Sequence, residues 1–234
     1  MKKGRAGGQC DNFAPMIDKI VASPQAALAD VPDGATIMIG GFGNAGMPAA
    51  LIDALIAQGA RGLTIVNNNA GNGDTGLAAL IKAKRVRKIL CSFPRQADSW
   101  HFDALYRAGE IELELVPQGT LAERIRAAGA GIGAFFTPTA CGTRLAEGKE
   151  TRRIGNRDYV LEYPVHADYA LIKADRADRW GNLAYRKSAR NFGPIMAAAA
   201  KCAVVQVREV VELGALDPEA VITPGIFVKR VVKH

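Results

Sequence analysis

Short blocks of aliphatic residues recur along the chain, and each is followed by a glycine-bearing or polar loop and then by apolar residues at helical spacing. The blocks at residues 35–39, 63–66, 86–91, 111–116 and 132–136 are four to six residues long and bounded by turn residues, so they read as strands. After Pro48, Leu51, Ile52, Leu55 and Ile56 share one face of a helix predicted over 48–58. Asp74 is placed to cap a helix through Leu77, Leu80 and Ile81, and Ser99 to cap the next, which Gly109 ends. Thr120 and Glu123 stand at capping-box spacing, which predicts a helix beginning just after Pro117-Gln118-Gly119. This alternation predicts an α/β fold: a single open, mostly parallel sheet with helices on both faces.

The pattern changes at residues 150–163, where charged residues, a Gly155-Asn156 turn and alternating Tyr159, Leu161 and Tyr163 predict a small antiparallel hairpin. Residues 169–172 and 203–207 return to the sheet around an alanine-rich helix at 195–201, and 226–232 form a last strand. With no internal repeat and no long linker, residues 16–234 read as one domain. Residues 1–15, polar and without periodicity, read as a disordered extension. The most apolar window, 193–207, is interrupted by Lys201 and is too short to span a membrane, so no membrane partner is expected.

Composition narrows the chemistry. The chain of 234 residues carries a formal charge of +7 and a pI near 9.4. Its basic residues are spread along the sequence and not interleaved with aromatics, so an anionic small molecule fits better than nucleic acid. Cys10, Cys91, Cys141 and Cys202 have no metal-ligand spacing and read as reduced thiols of a cytoplasmic protein. His101, His166 and His234 lack spaced partners, so no metal is expected. Ser99 and Ser188 lack the glycine-flanked elbow of a hydrolase nucleophile. The run Asp175-Arg176-Ala177-Asp178-Arg179 reads as a solvated, self-paired face.

Candidate binding residues fall where strands end. Gly40-Gly41-Phe42-Gly43-Asn44-Ala45-Gly46 follows the first strand and opens a helix, Asn67 to Gly71 follow the second, and Phe93-Pro94-Arg95 follow the third. Pro117-Gln118-Gly119 follows the fourth. In open α/β sheets such loops gather around one crevice. The Gly40-x-x-Gly43-x-x-Gly46 spacing is not a dinucleotide fingerprint, and it lacks the Lys-Ser/Thr pair of a phosphate-binding P-loop.

The order Asp33-Gly34, two residues, three aliphatics, Gly40-Gly41-Phe42, three residues, Gly46, one residue, Pro48 resembles the first signature of the family I (3-oxoacid) coenzyme A transferases. The resemblance continues through Leu63-Thr64-Ile65-Val66-Asn67-Asn68-Asn69-Ala70-Gly71, then Pro117-Gln118-Gly119-Thr120-Leu121-Ala122-Glu123-Arg124, and then Arg186-Lys187-Ser188-Ala189-Arg190-Asn191-Phe192. It implies a chain that moves coenzyme A from succinyl-CoA to a 3-oxoacid, 3-oxoadipate in aromatic-compound catabolism or alternatively acetoacetate. It implies no cofactor beyond the coenzyme A thioester, which is substrate. In the family a glutamate opening a Glu-Asn-Gly motif carries the coenzyme A. No glutamate here is followed by Asn-Gly, so the nucleophile is expected on a partner B (beta) subunit. The resemblance makes Gln118 an oxyanion-hole donor and assigns Asn68 and Asn69 to the acyl pocket. Gly40, Gly41, Phe42, Gly43, Gly46 and Phe93 complete the expected substrate-binding set, and Arg95 is expected to read the second carboxylate of 3-oxoadipate, its alternative being a surface pair with Asp98. Two other readings stay open: a sugar-phosphate isomerase or deaminase on a related fold, and a non-enzymatic acyl-CoA-binding module.

Overall fold

The computed structural model describes residues 17–234, so the expected extension at 1–15 lies outside the described residues. A short helix, α1 (Pro24–Leu28), is capped by Ser23, whose hydroxyl accepts from the Ala26 amide at 3.1 Å. Four strand-helix units follow: β1 (Thr36–Ile39), α2 (Ala49–Gln58), β2 (Leu63–Val66), α3 (Leu77–Lys82), β3 (Val86–Cys91), α4 (Trp100–Arg107), β4 (Glu112–Leu115) and α5 (Gln118–Gly129). The chain then runs through β5 (Phe135–Thr137), β6 (Thr151–Ile154), β7 (Arg157–Glu162), β8 (Ala167–Ala177), β9 (Leu183–Ala184), α6 (Gly193–Ala199), β10 (Ala200–Val210) and β11 (Val228–Lys233).

The main sheet has the order β11-β10-β8-β1-β2-β3-β4, every neighbouring pair parallel, with β9 antiparallel on the end of β8. Side chains alternate across it because strand residues point to opposite faces in turn. Ile37, Ile39, Leu63, Ile65 and Ile89 enter one core with Leu51, Ile52 and Leu55 of α2 and Leu77, Leu80 and Ile81 of α3. Met38, Val66, Leu90, Ile172 and Val205 enter another with Leu121 and Ile125 of α5 and Met196 of α6. Both faces are therefore covered, which is why these strands read as unbroken aliphatic runs. Each such fully buried leucine or isoleucine stabilises the fold by about 1.5–3 kcal/mol relative to exposure.

Local expectations depart from the structure in instructive ways. The strand expected at 132–136 is Phe135–Thr137 and leaves the parallel sheet to pair antiparallel with β7, whose hairpin with β6 turns at Gly155-Asn156. A second, three-stranded sheet results. Asp74 does not cap α3, which begins after Gly76; its carboxylate instead meets Lys82 Nζ at 2.9 Å and His101 Nε2 at 2.8 Å. Ser99 occupies the first cap position of α4, but its hydroxyl donates to the Gly71 carbonyl and accepts from the Gln96 amide, both at 2.9 Å. The capping box at Thr120 and Glu123 does not form, because the helix already starts at Gln118 behind Pro117. Thr120 is buried in the first turn, its hydroxyl without a partner among the described residues, and Glu123 pairs with Arg126.

The run at 175–179 is neither solvated throughout nor self-paired. Asp175 pairs with Arg208 at 2.9 Å. Asp178 is 3% exposed and accepts from the Trp180 and Asn182 amides and from Asn182 Nδ2. Among the described residues no helix is long and apolar enough to cross a membrane.

Candidate functional site

The loop after β1 is shaped by its glycines and held by one asparagine. Phe42 and Ala45 exchange amide-to-carbonyl hydrogen bonds at 3.0 and 3.2 Å, a tight turn that leaves Phe42 50% exposed. Gly46 has φ +76°, and a Cβ there would run into the Ala189 carbonyl and the Asn191 amide, so no other residue fits. Asn191 Oδ1 accepts from the Gly41 amide at 3.2 Å, and its Nδ2 donates to the Ala45 carbonyl at 2.9 Å and the Ser188 carbonyl at 3.0 Å. This side chain, 150 residues from Gly41 in sequence, fixes both ends of the loop. It lies inside the Arg186 to Phe192 motif, where nothing in the neighbouring residues points to that role.

The loop after β2 is built on consecutive asparagines. Asn67 Nδ2 donates to the Ile39 carbonyl at 2.6 Å, tying the ends of β1 and β2, while its Oδ1 accepts from the Asn69 amide at 2.9 Å. Asn69 Oδ1 accepts from the Gly71 amide at 2.8 Å, and its buried Nδ2 has no partner among the described residues. Asn67 is a site builder that the expected set omits, although short polar side chains that bond two residues ahead are the ordinary signature of such turns.

Asn68 is held differently. Its carbonyl accepts from the Ser92 and Phe93 amides at 3.2 and 3.0 Å, binding the loop after β2 to the loop after β3. The Ser92 hydroxyl lies 2.8 Å from Asn68 Oδ1 and 3.1 Å from its carbonyl oxygen. With the carbonyl already served twice, the single hydroxyl proton belongs on Oδ1, and the hydrogen-bond network thereby assigns Nδ2 as the free end of the amide.

Phe42, Gly43, Asn68, Ser92, Phe93, Gln96 and Gln118 line one cleft of about 390 Å³. The structure thus brings together five of the expected residues, Phe42, Gly43, Asn68, Phe93 and Gln118. Gly40, Gly41, Gly46 and Asn69 are buried and build the loops without lining the cleft. Arg95 is not in the lining either. Its guanidinium pairs with Asp103 of α4 at 2.7 Å, so the surface partner is Asp103 and not Asp98, and that pairing holds the Asp103 carboxyl below its ordinary value. Ser92 and Gln96 are absent from the expected set; the only sequence signal for them is their place just past the end of β3.

Among the described residues, the cleft lining includes no carboxylate, histidine, lysine, arginine or cysteine. Cys91, at the adjoining strand end, is buried, and burial pushes its thiol up to about 12, which keeps it protonated and unreactive at neutral pH. Among the described residues no three His, Cys, Asp or Glu side chains gather as a metal site. What the cleft offers is neutral amide donors, from Asn68 and from the exposed Gln118 at the start of α5. Such donors can hold a developing oxyanion, but they cannot attack a carbonyl.

Comparison with known proteins agrees with this architecture. The chain is 70% identical over 217 residues to the A-type subunit of the 3-oxoadipate CoA-transferase of Pseudomonas putida, covering 93% of this chain and 94% of that one. It is 51% identical over 215 residues to the A-type subunit of the succinyl-CoA:3-ketoacid coenzyme A transferase of Xanthomonas campestris, covering 92% and 88% of the two chains. The fold superposes with a TM-score of 0.80 and 23% identity on a solved acyl-CoA transferase of Escherichia coli in its thioester complex with CoA; 93% of this chain corresponds to 47% of that chain, about half its length. The sequence pattern of the family described as coenzyme A transferase matches residues 21–234, and with these relatives it places the chain in that family: this is a coenzyme A transferase chain.

Proposed function

We infer that this chain is the A-type (alpha) half of a heteromeric enzyme that moves coenzyme A from succinyl-CoA to 3-oxoadipate, giving succinate and 3-oxoadipyl-CoA in the cytoplasmic breakdown of aromatic compounds. The observation that carries the reading is the cleft itself, which, among the described residues, presents amide donors and no carboxylate to act as the nucleophile. A partner B subunit supplies a glutamate carboxylate, which attacks the thioester carbonyl of succinyl-CoA, so that the C–S bond breaks, coenzyme A thiolate leaves and a mixed glutamyl-succinyl anhydride forms. The thiolate then attacks the glutamyl carbonyl of that anhydride, leaving a glutamyl thioester and free succinate. The acceptor carboxylate reverses the two steps, so the glutamate is regenerated. Each carbonyl addition puts negative charge on an oxygen, and Gln118 and Asn68 donate to it. No metal or redox group is required by these steps. Two copies of each type of chain form the assembled enzyme.

The choice of acceptor is supported by the higher identity to the 3-oxoadipate relative, 70% against 51%. The engagement of Arg95 by Asp103 favours a second reading, in which the acceptor is acetoacetate, since among the described residues it leaves the cleft lining without a cation for a second carboxylate. Both are tested by one experiment. The chain is assayed alone and after reconstitution with a B-type subunit, using succinyl-CoA with either acceptor. No turnover alone, turnover by the pair, and a higher kcat/KM for 3-oxoadipate are expected. Turnover by the chain alone would overturn the half-site reading; preference for acetoacetate would establish the second.

A further inference from the structure

Three side-chain amides line the neutral cleft, and the transfer steps above give tasks to two of them. Asn68 and Gln118 donate to the developing oxyanion; Gln96, half-buried on the loop after β3, is left over. Its backbone groups are spent within its own turn, the amide donating to Ser99 Oγ at 2.9 Å and the carbonyl accepting from the Ser99 amide at 3.4 Å. Among the described residues its side chain makes no hydrogen bond. What Gln96 offers a molecule in the cleft is therefore its side-chain amide, with two N–H donors and one carbonyl acceptor.

The loop that carries Gln96 is fixed from several sides. Ser99 Oγ donates to the Gly71 carbonyl at 2.9 Å, the Asp98 amide donates to Asn72 Oδ1 at 3.0 Å, and the Asp98 carbonyl accepts from the Gly73 amide at 2.9 Å. These bonds fasten it to the loop after β2, on one side of β3, whereas Gln118 stands after β4 on the other. Arg95, the preceding residue, is held by Asp103 of α4. A donor on so fixed a base loses little freedom when a ligand arrives. The acceptor chemistry leaves it one task. 3-Oxoadipate ends in a carboxylate two carbons beyond the point where acetoacetate ends, and a carboxylate that leaves water needs hydrogen-bond donors in its place. With the Ser92 proton on Asn68 Oδ1, and no lysine or arginine in the lining among the described residues, the donors left there are the Gln96 amide and the Gly43 backbone N–H. Of the two, Gln96 has the reach of a long side chain.

We propose that Gln96 determines the choice of acceptor: its side-chain amide donates to the carboxylate at the far end of 3-oxoadipate, so that a neutral group recognises the second carboxylate in a cleft lined by no cation. The proposal rests on the reading of this chain as half of a 3-oxoadipate transferase. The chain, reconstituted with a B-type subunit, is assayed at one concentration of succinyl-CoA with 3-oxoadipate, its 6-methyl ester or acetoacetate, so that effects on the donor substrate cancel in the ratios. Gln96→Met, of similar length and without a donor, is expected to lower the ratio of kcat/KM for 3-oxoadipate over acetoacetate at least about tenfold. Gln96→Glu, nearly the same in shape, sets a like charge against the carboxylate and should lower that ratio at least as far. In both variants the ratio for 3-oxoadipate over its 6-methyl ester should fall alongside, since the ester has no charge for the amide to hold. Turnover of acetoacetate reports that each variant folds and assembles. Equal losses for 3-oxoadipate, the ester and acetoacetate would place Gln96 against groups that all three share and overturn the proposal. A wild-type pair that prefers 3-oxoadipate while both variants keep that preference would also overturn it and leave the transferase reading standing. A wild-type pair that used acetoacetate alone, or no acceptor, would overturn the 3-oxoadipate reading and the proposal with it.

Discussion

The two flanks of the glycine loop at residues 40–46 use opposite chemistry. Toward β2 and β3 the lining is neutral, with asparagine, glutamine and serine beside two exposed phenylalanines. Toward β8 and β10 it is charged, with Lys173, Arg186, Lys187 and Arg208 beside Asp175. The difference teaches where a neutral group is useful. A neutral amide can donate to an oxyanion that exists only in the transition state without also trapping the anionic substrates and products, all of which are carboxylates or thioesters of carboxylates. The neutral side should therefore govern kcat.

The largest expected effect tests that division. In the reconstituted enzyme Gln118→Ala is expected to lower kcat about 10²–10³-fold, about 3–4 kcal/mol, while KM for succinyl-CoA stays within about threefold. Steady-state kinetics decide it: a change confined to KM would move Gln118 to the binding side and erase the contrast.

A smaller effect sharpens the neutral side. Ser92→Ala removes the hydroxyl that fixes the Asn68 amide, and a loss of about five- to tenfold in kcat is expected, matching one hydrogen bond of about 1–1.5 kcal/mol. Because Ser92 acts through Asn68, Ser92→Ala should have no further effect in an Asn68→Ala background, and Ser92→Thr should restore most of the activity. Additive losses in the double variant would show that Ser92 supports the fold and does not position the amide.

The smallest effect is expected at Arg95, a cation placed by sequence on the neutral side. Its guanidinium is already engaged by Asp103, and exposed pairs of this kind contribute only about 0.2–1 kcal/mol. Arg95→Met should change the ratio of kcat/KM for 3-oxoadipate over acetoacetate by no more than about threefold. A selective loss of 3-oxoadipate use beyond about tenfold would mean that Arg95 leaves Asp103 to bind the second carboxylate, and the neutral side would then contain a charged reader after all.

Much of the neutral flank was legible in the residues. β2 and β3 fall at the expected positions, β1 and β4 within a residue or two, and the loops that follow them meet at one cleft. Aliphatic runs, glycines and asparagines act within a few residues of themselves, so their spacing carries the information. Helix starts were less legible. Asp74, Ser99 and Thr120 each have the chemistry of a cap, but Lys82 and His101 claim Asp74, the Gly71 loop claims Ser99, and Pro117 starts its helix too early for Thr120.

The sequence by itself determined the alternating strands and helices, the glycine loop, the asparagine turn and the family, because each of these is written in residues close to one another along the chain. Only the tertiary structure decided that β5 joins a second sheet, that Asp178 is buried, that Ser92 turns the Asn68 amide, and that Asn191 clamps a loop 150 residues away. It alone gathered Lys173, Arg186, Lys187 and Arg208 from a sequence in which the basic residues look evenly spread. The physical reason is that charge and hydrogen bonding act over a few ångströms of space, and the parallel order of β1, β8 and β10 makes neighbours of residues that no local pattern connects.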